Sequence, residues 1–184
     1  MGMLLDSKRA LLDFSQHTLE SASMSKRLMY LSGLLFICVV SAVGCENKQQ
    51  TELIDYINKE LPAIAELEEK VFNKYSAVSG DNYSDDQVMQ DALRSEIIPN
   101  SSKLIDTTEA VVIVDKQLRH THEIYISAIN KQHNAFNLID RAIDTADAEM
   151  INKANNLLSE ARKGMRDFLS EINKLKTEYN VVTK

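Results

Sequence analysis

Three side chains near the middle of the chain have types and spacing that chemistry could use. Asp115 and His122 are seven residues apart, so a continuous helix would carry both on one face, with His120 nearby. A carboxylate beside an imidazole can transfer protons, and the same groups bind metal ions or polar small molecules. The alternative is structural, since a histidine in a helical seam commonly completes its hydrogen bonds inside the core. The spacing leaves both interpretations open.

The residue combinations that a di-iron site, a haem attachment site or a phosphate-binding loop requires do not occur in the sequence. A di-iron bundle site needs Glu three residues before His, but the residues three before His120, His122 and His133 are Gln117, Arg119 and Asn130. There is no Cys-x-x-Cys-His for haem and no glycine-rich phosphate loop. Acidic pairs such as Glu66/Glu69 and Glu68/Glu69 are typical of a solvated helix face. We therefore predict no catalytic residue, no metal and no cofactor, and a protein that is not an enzyme.

One cysteine has a context of its own. Residues 28–44 carry no charge, Lys26 and Arg27 precede them, and small residues lead up to Cys45. This resembles the lipobox of bacterial lipoproteins, in which the signal peptide is cut before a cysteine that becomes lipidated. The resemblance implies a signal peptide over 24–44, cleavage between Gly44 and Cys45, and a lipid on Cys45. Two alternatives remain, an uncleaved signal anchor or a buried helix, because 17 helical residues reach about 25 Å and a bilayer core is about 30 Å thick.

The first 23 residues differ from a secretory leader. They contain Asp6, Asp13 and Glu20, whereas the start of a signal peptide is positively charged. Met24 therefore looks like the initiator and residues 1–23 like a start-site extension. Whether Met1 or Met24 is the true start stays open.

Charge and cysteine content limit what the body of the protein does. The four basic and three acidic residues before Cys45 leave 17 basic and 24 acidic residues in the rest of the chain. This acidic balance argues against nucleic acid and against electrostatic docking on anionic lipid, so membrane attachment is expected through the lipid on Cys45. Cys38 and Cys45 are the only cysteines, which excludes a disulfide framework after residue 45.

Helical periodicity dominates the chain after residue 52, where glycine and proline are rare. Pro62 and Pro99 fall inside helical patterns, and the sequence does not decide whether they kink or end a helix. A seven-residue repeat then runs through "AVVIVD" (110–115), which we predict to be helical. Ser84 and Thr145 are the predicted N-caps of the second and last helices. One stripe is formed by Leu53, Ile57, Leu61, Ile64, Leu67, Val71 and Tyr75; the repeat comprises Leu104, Val111, Leu118, Tyr125, Gln132 and Ile139, alternating with Thr108, Asp115, His122, Ile129, Phe136 and Ile143.

These patterns predict an all-α protein, an elongated antiparallel bundle of three to four long helices after an N-terminal signal or anchor helix. The expected domains are an extension (1–23), a signal peptide (24–44), the lipidated cysteine with a tether (45–52) and the bundle (53–184).

The predicted function is that of a lipid-anchored, extracytoplasmic interaction or envelope-binding module, on the outer face of the cytoplasmic membrane or on the outer membrane. The body loosely resembles small helical lipoproteins of bacterial envelopes. Its expected partners are the membrane and an envelope protein or the cell wall, with self-association possible. An alternative is an immunity or surface-exclusion lipoprotein that blocks a toxin, phage or conjugation machine. A more distant alternative is the binding of a small molecule or a metal ion at the polar residues Asp115, His122 and His120. The loops at 76–86 and 144–147 are the predicted contact regions.

Overall fold

The structure is a computed structural model that describes residues 47–182, and within this range it contains helices and no strand. This confirms the all-α class. The helices are α1 (Lys48–Asp55), α2 (Leu61–Ser76), α3 (Asp86–Ala92), α4 (Ile98–Glu109), α5 (Lys116–Thr145) and α6 (Ala148–Glu178). Two π-helical turns, Tyr56–Glu60 and Leu93–Ile97, join α1 to α2 and α3 to α4, and a 3₁₀ turn spans Gly80–Asn82. The predicted extension, signal peptide and Cys45 lie outside the described residues.

Each π-helical turn ends two residues before a proline, Pro62 or Pro99. The Leu61 N–H bonds to the Tyr56 carbonyl and the Ile98 N–H to the Leu93 carbonyl, and in each case proline is the next residue. Proline lacks an N–H and its ring clashes with the carbonyl four residues earlier in a regular α-helix. A wider turn at that point accommodates the ring without ending the helix. The chain therefore continues helically past Pro62 and Pro99.

Two hydrophobic cores fill the interior, one at each end. We call them the base core and the tip core. The four helical segments (48–76, 86–109, 116–145 and 148–178) each contribute residues to both cores. The base core contains Leu53, Tyr56, Ile57, Leu61, Ile64, Leu104, Ile113, Leu118, Tyr125, Ile129, Phe168, Ile172, Leu175, Tyr179 and Val181. The tip core contains Val71, Tyr75, Met89, Leu93, Ile97, Ala135, Phe136, Ile139, Ala142, Ile151, Ala154 and Leu158.

The segment 110–115 is not helical, so the prediction there was wrong. α4 ends at Glu109 and α5 begins at Lys116. The side chain of Glu52 accepts the backbone N–H groups of Val114 (2.5 Å) and Asp115 (3.0 Å), which fixes the end of the segment outside the helices. The carboxylate of Asp115 then accepts the Leu118 N–H and caps α5. A β-branched run followed by an N-capping residue thus ends one helix and starts the next, although the hydrophobic spacing continues through it.

Both predicted N-caps were also misplaced. Asp85, one residue after Ser84, accepts the Val88 N–H at 2.9 Å and caps α3. Asp147 caps α6 by accepting the N–H groups of Glu149 and Met150 at 2.8 and 3.1 Å. Thr145 instead donates its hydroxyl to the Arg141 carbonyl within α5. In each case the N-cap is the carboxylate nearest the helix start, because it accepts charge-assisted hydrogen bonds and complements the helix dipole.

Helix α1 already begins at Lys48, where Asn47 accepts the Gln49 N–H and caps it. Residues 48–52 of the segment predicted as a tether are therefore helical. Among residues 47–182, no helix has the length and apolar character needed to cross a membrane.

Candidate functional site

His122 is buried in the base core and has partners on both ring nitrogens. Its Nδ1 lies 2.8 Å from the hydroxyl of Tyr56, and its Nε2 lies 3.0 Å from the carbonyl oxygen of Thr108. A carbonyl only accepts, so Nε2 carries the proton and Nδ1 accepts from Tyr56. Burial lowers the pKa of His122 below its usual value, which favours the neutral ring. In this arrangement both ring nitrogens are occupied by protein groups, so the ring ties α4, α5 and the first π-helical turn together.

Asp115 belongs to a different cluster, at the base end of the molecule. Besides capping α5, its carboxylate accepts the side-chain N–H of Gln49 and the hydroxyl of Tyr179, both at 2.9 Å. Burial by itself would raise the pKa of Asp115, but the hydrogen bonds from Gln49, Leu118 and Tyr179 outweigh it and lower the pKa. No hydrogen bond joins Asp115 to His122 in the described part of the chain. Because Asp115 precedes α5, the seven-residue spacing does not bring the two onto one helix face.

His120, the third residue of the predicted seam site, is exposed. It lines a shallow groove over the α5–α6 interface, together with Lys131, Glu160 and Gly164. The structure therefore separates the three predicted residues into a core histidine, a capping carboxylate at the base and a surface histidine. In the range 47–182, no three His, Cys, Asp or Glu side chains are grouped so that they could hold a metal ion.

A second buried polar pair was missed by the sequence analysis. Glu68, expected on a solvated face, is only 6% exposed, and the hydroxyl of Tyr125 donates to its carboxylate at 3.1 Å. Burial raises the pKa of Glu68 to about 7, although the Tyr125 hydrogen bond acts in the opposite direction. A signal was present, because Leu61, Glu68 and Tyr75 are spaced by seven residues and so share a helix face. That spacing indicated burial more clearly than the neighbouring charges indicated exposure.

The base end is where the described chain begins, and it is held by polar side chains. Gln50 donates to the carbonyl of Asn180 at 3.0 Å, which links the start of α1 to the end of α6. Gln49 and Glu52 link the same turn of α1 to residues 114–115, as described above. The position at which the chain enters the bundle is therefore fixed against α6 and against the 110–115 segment.

The tip end carries the two loops predicted as contact regions. In the first, Gly80 takes a positive φ of 60°, and Asn82 donates to the Ser76 carbonyl at 2.9 Å. Ser79 is buried and Tyr83 packs against the tip core, whereas Ser84 is exposed. In the second, Ala146 turns the chain with a φ of 51° between α5 and α6. Both loops adjoin the tip core, so the structure places them at the same end, opposite the base.

Comparison with known proteins returns no match for this chain, whether to a family model, to a curated protein or to a solved structure.

Proposed function

We propose that this protein is a lipid-anchored extracytoplasmic lipoprotein whose helices form an elongated up-down-up-down bundle that presents a contact surface at its tip. One observation carries the proposal: the chain enters the bundle at Asn47, two residues after Cys45, at the end opposite the two tip loops. A lipid on Cys45 would place the base at the membrane and direct the tip away from it.

The length of the helices determines how far the tip would stand from the membrane. Helix α6 has 31 residues, which at about 1.5 Å per residue is roughly 46 Å. The tip would therefore stand several nanometres above the membrane surface. Loops held on a rigid scaffold are common recognition elements, and the tip loops are held by Asn82, Tyr83 and the Asp147 cap.

The polar interior supports a structural role for its residues rather than turnover. The ring of His122 is hydrogen-bonded to the Tyr56 hydroxyl and to the Thr108 carbonyl. The carboxylate of Glu68 accepts a hydrogen bond from the Tyr125 hydroxyl. Polar residues satisfied in this way fix the register of packed helices. Presentation of a surface is thus the function that fits this interior.

The lipid anchor is tested by replacing Cys45 with Ser. We expect Cys45→Ser to lose incorporation of a fatty-acid probe and to be released from the membrane fraction, because the proposed lipid is attached to the sulfur of Cys45. Cys38→Ser, inside the apolar run, is the matched control and should keep the label. Unchanged labelling of the Cys45 variant would exclude the anchor.

The tip is tested by crosslinked capture from intact cells. Ser84→Arg combined with Thr145→Arg adds bulk and charge at exposed tip positions, so we expect it to reduce capture of the partner several-fold while the helical content stays unchanged. Ser102→Arg combined with Ser159→Arg makes the same change on exposed helix sides and should capture normally.

The result also separates the possible mechanisms. A captured component of a toxin, phage or conjugation machine would favour the exclusion function over envelope binding. If the tip variant captures normally and His122 or Asp115 variants do not, the tip proposal is wrong and a site in the polar interior takes its place.

A further inference from the structure

The base end exposes apolar side chains that the fold leaves uncovered. Of the described residues, the large hydrophobic ones that are exposed are Val112 (89%), Val114 (79%), Val182 (76%) and, less so, Val88 (45%). The first three lie at the base, in the 110–115 segment and after α6, whereas Val88 lies near the tip. Single exposed valines are ordinary, but their concentration at one end is a feature to be explained.

The two valines of the 110–115 segment are held outward by a fixed backbone. Ile113 is 7% exposed and Val111 packs against the base core, whereas Val112 and Val114 are exposed, so inward and outward side chains alternate along the segment. Glu52 binds the backbone N–H groups of Val114 and Asp115, and the Asp115 carboxylate is bound in turn by Gln49 and Tyr179. The exposure of Val112 and Val114 is therefore built into the fold.

The position at which the chain enters the bundle identifies what would cover them. Asn47 is two residues after Cys45, a span of about 7 Å when fully extended. The side chains of Gln49 and Gln50 fasten this start to Asp115 and to Asn180, beside the exposed valines. Lys48 and Val112 line the same groove, between α1 and the 110–115 segment. Because two residues span at most about 7 Å, a surface that holds Cys45 lies close to the end of the bundle that carries these side chains.

We propose that the base end rests on the lipid bilayer and that Val112 and Val114 enter its interfacial region, so that the bundle is oriented by contact as well as tethered. This inference rests on the proposed lipid anchor at Cys45. Apolar side chains at the edge of a membrane-bound surface bury themselves among the headgroups and upper acyl chains, to a depth of about 5–10 Å. Apolar contact also suits an acidic protein, which gains little from attraction to anionic lipid.

Site-specific fluorescence on the full chain tests the contact. Val112→Cys, Val114→Cys and Val88→Cys, each in a Cys38→Ser background, are purified from membranes, labelled with an environment-sensitive dye and placed in phosphatidylethanolamine–phosphatidylglycerol vesicles. We expect dyes at 112 and 114 to shift to the blue and to be quenched by lipids carrying a shallow doxyl group several-fold more than the dye at 88. Circular dichroism and fatty-acid labelling of the same samples report folding and lipidation.

Each contrary outcome has a definite meaning. Equal quenching at 112, 114 and 88 in lipidated, folded protein would overturn this inference and leave the anchor standing. A blue shift that persists without vesicles would overturn it in favour of a second copy as the cover. Absence of the fatty-acid label would overturn the anchor and this inference together.

Discussion

At the scale of single residues, burial changes the chemistry of Glu68 and His122 more than their neighbours in sequence do. Both are buried polar side chains beside the base core. Desolvation raises the pKa of Glu68 and lowers the pKa of His122, so in each case it favours the neutral form. Each then relies on one or two hydrogen bonds, from Tyr125 to Glu68 and from Tyr56 to His122. These two residues consequently make the stability of the protein depend on pH.

Glu68→Gln should remove a destabilisation that appears as the pH rises. The pKa of Glu68 rises from 4.5 to about 7 on folding, so between these values the unfolded chain loses its proton first and stability falls with increasing pH. Each pKa unit is about 1.4 kcal/mol, so the loss is at most roughly 3–4 kcal/mol and is complete above about pH 7. We expect the variant to be roughly 1–3 kcal/mol more stable than the wild type at about pH 8 and no more stable at about pH 4.

Denaturant unfolding over this pH range measures the effect, with the exposed Glu69→Gln as the matched control. Equal pH dependence in the Glu68 variant and the wild type would show that this carboxyl does not titrate inside the core.

At the scale of elements, α5 and α6 approach each other closely at Gly164. A Cβ atom added to Gly164 would stand 2.9 Å from the Cβ of Ala128, closer than two such atoms approach in proteins. The absence of a side chain at Gly164 therefore allows the two long helices to come together. The same contact explains why a glycine is tolerated in the middle of a helix, where it is otherwise unfavourable by about 1 kcal/mol.

Gly164→Ala should therefore destabilise the protein in spite of its better helix propensity. Overpacking costs about 1–3 kcal/mol, which exceeds the propensity gain of about 1 kcal/mol in most of that range. Combining it with Ala128→Gly moves the small residue to the facing helix, and we expect this double variant to recover most of the lost stability. Thermal unfolding of the two single variants and the double variant gives the coupling energy. Additive effects would mean that the two positions do not share one contact.

At the scale of the whole molecule, two cores are joined by helices that run through both. Phe136 is fully buried in the tip core and Leu118 in the base core, and both belong to α5. A helix shared by two cores couples them, since unfolding one end frees the helix that the other end requires. The protein should therefore unfold as a single cooperative unit.

Phe136→Ala and Leu118→Ala test this coupling from opposite ends. We expect losses of about 3–5 and 2–5 kcal/mol respectively, each from the lost burial and the cavity left behind. Each variant should still unfold in one transition, with circular dichroism and tyrosine fluorescence changing together. Two separate transitions in either variant would show that the tip and base cores are independent.

The sequence alone was sufficient for the helical class and for most of the core. Periodic apolar residues such as Leu53, Ile64 and Phe136 are buried where the pattern predicts, because a helix presents every third or fourth side chain to the same side. The apolar run before Cys45 likewise needs no tertiary contact to be recognised, and the lipid anchor it predicts stays a prediction.

Tertiary structure decided the rest, wherever local patterns were compatible with more than one outcome. The 110–115 segment keeps the hydrophobic spacing of a helix, yet it is not helical, and the Glu52 carboxylate, distant in sequence, binds the N–H groups of Val114 and Asp115. Asp115 and His122 have helical spacing, yet a helix boundary separates them into different clusters. Glu68 carries a charge, yet the neighbouring helices bury it. The contacts of Glu52 with Val114 and Asp115 and of Glu68 with Tyr125 join residues far apart along the chain, and local spacing does not show which distant residues meet.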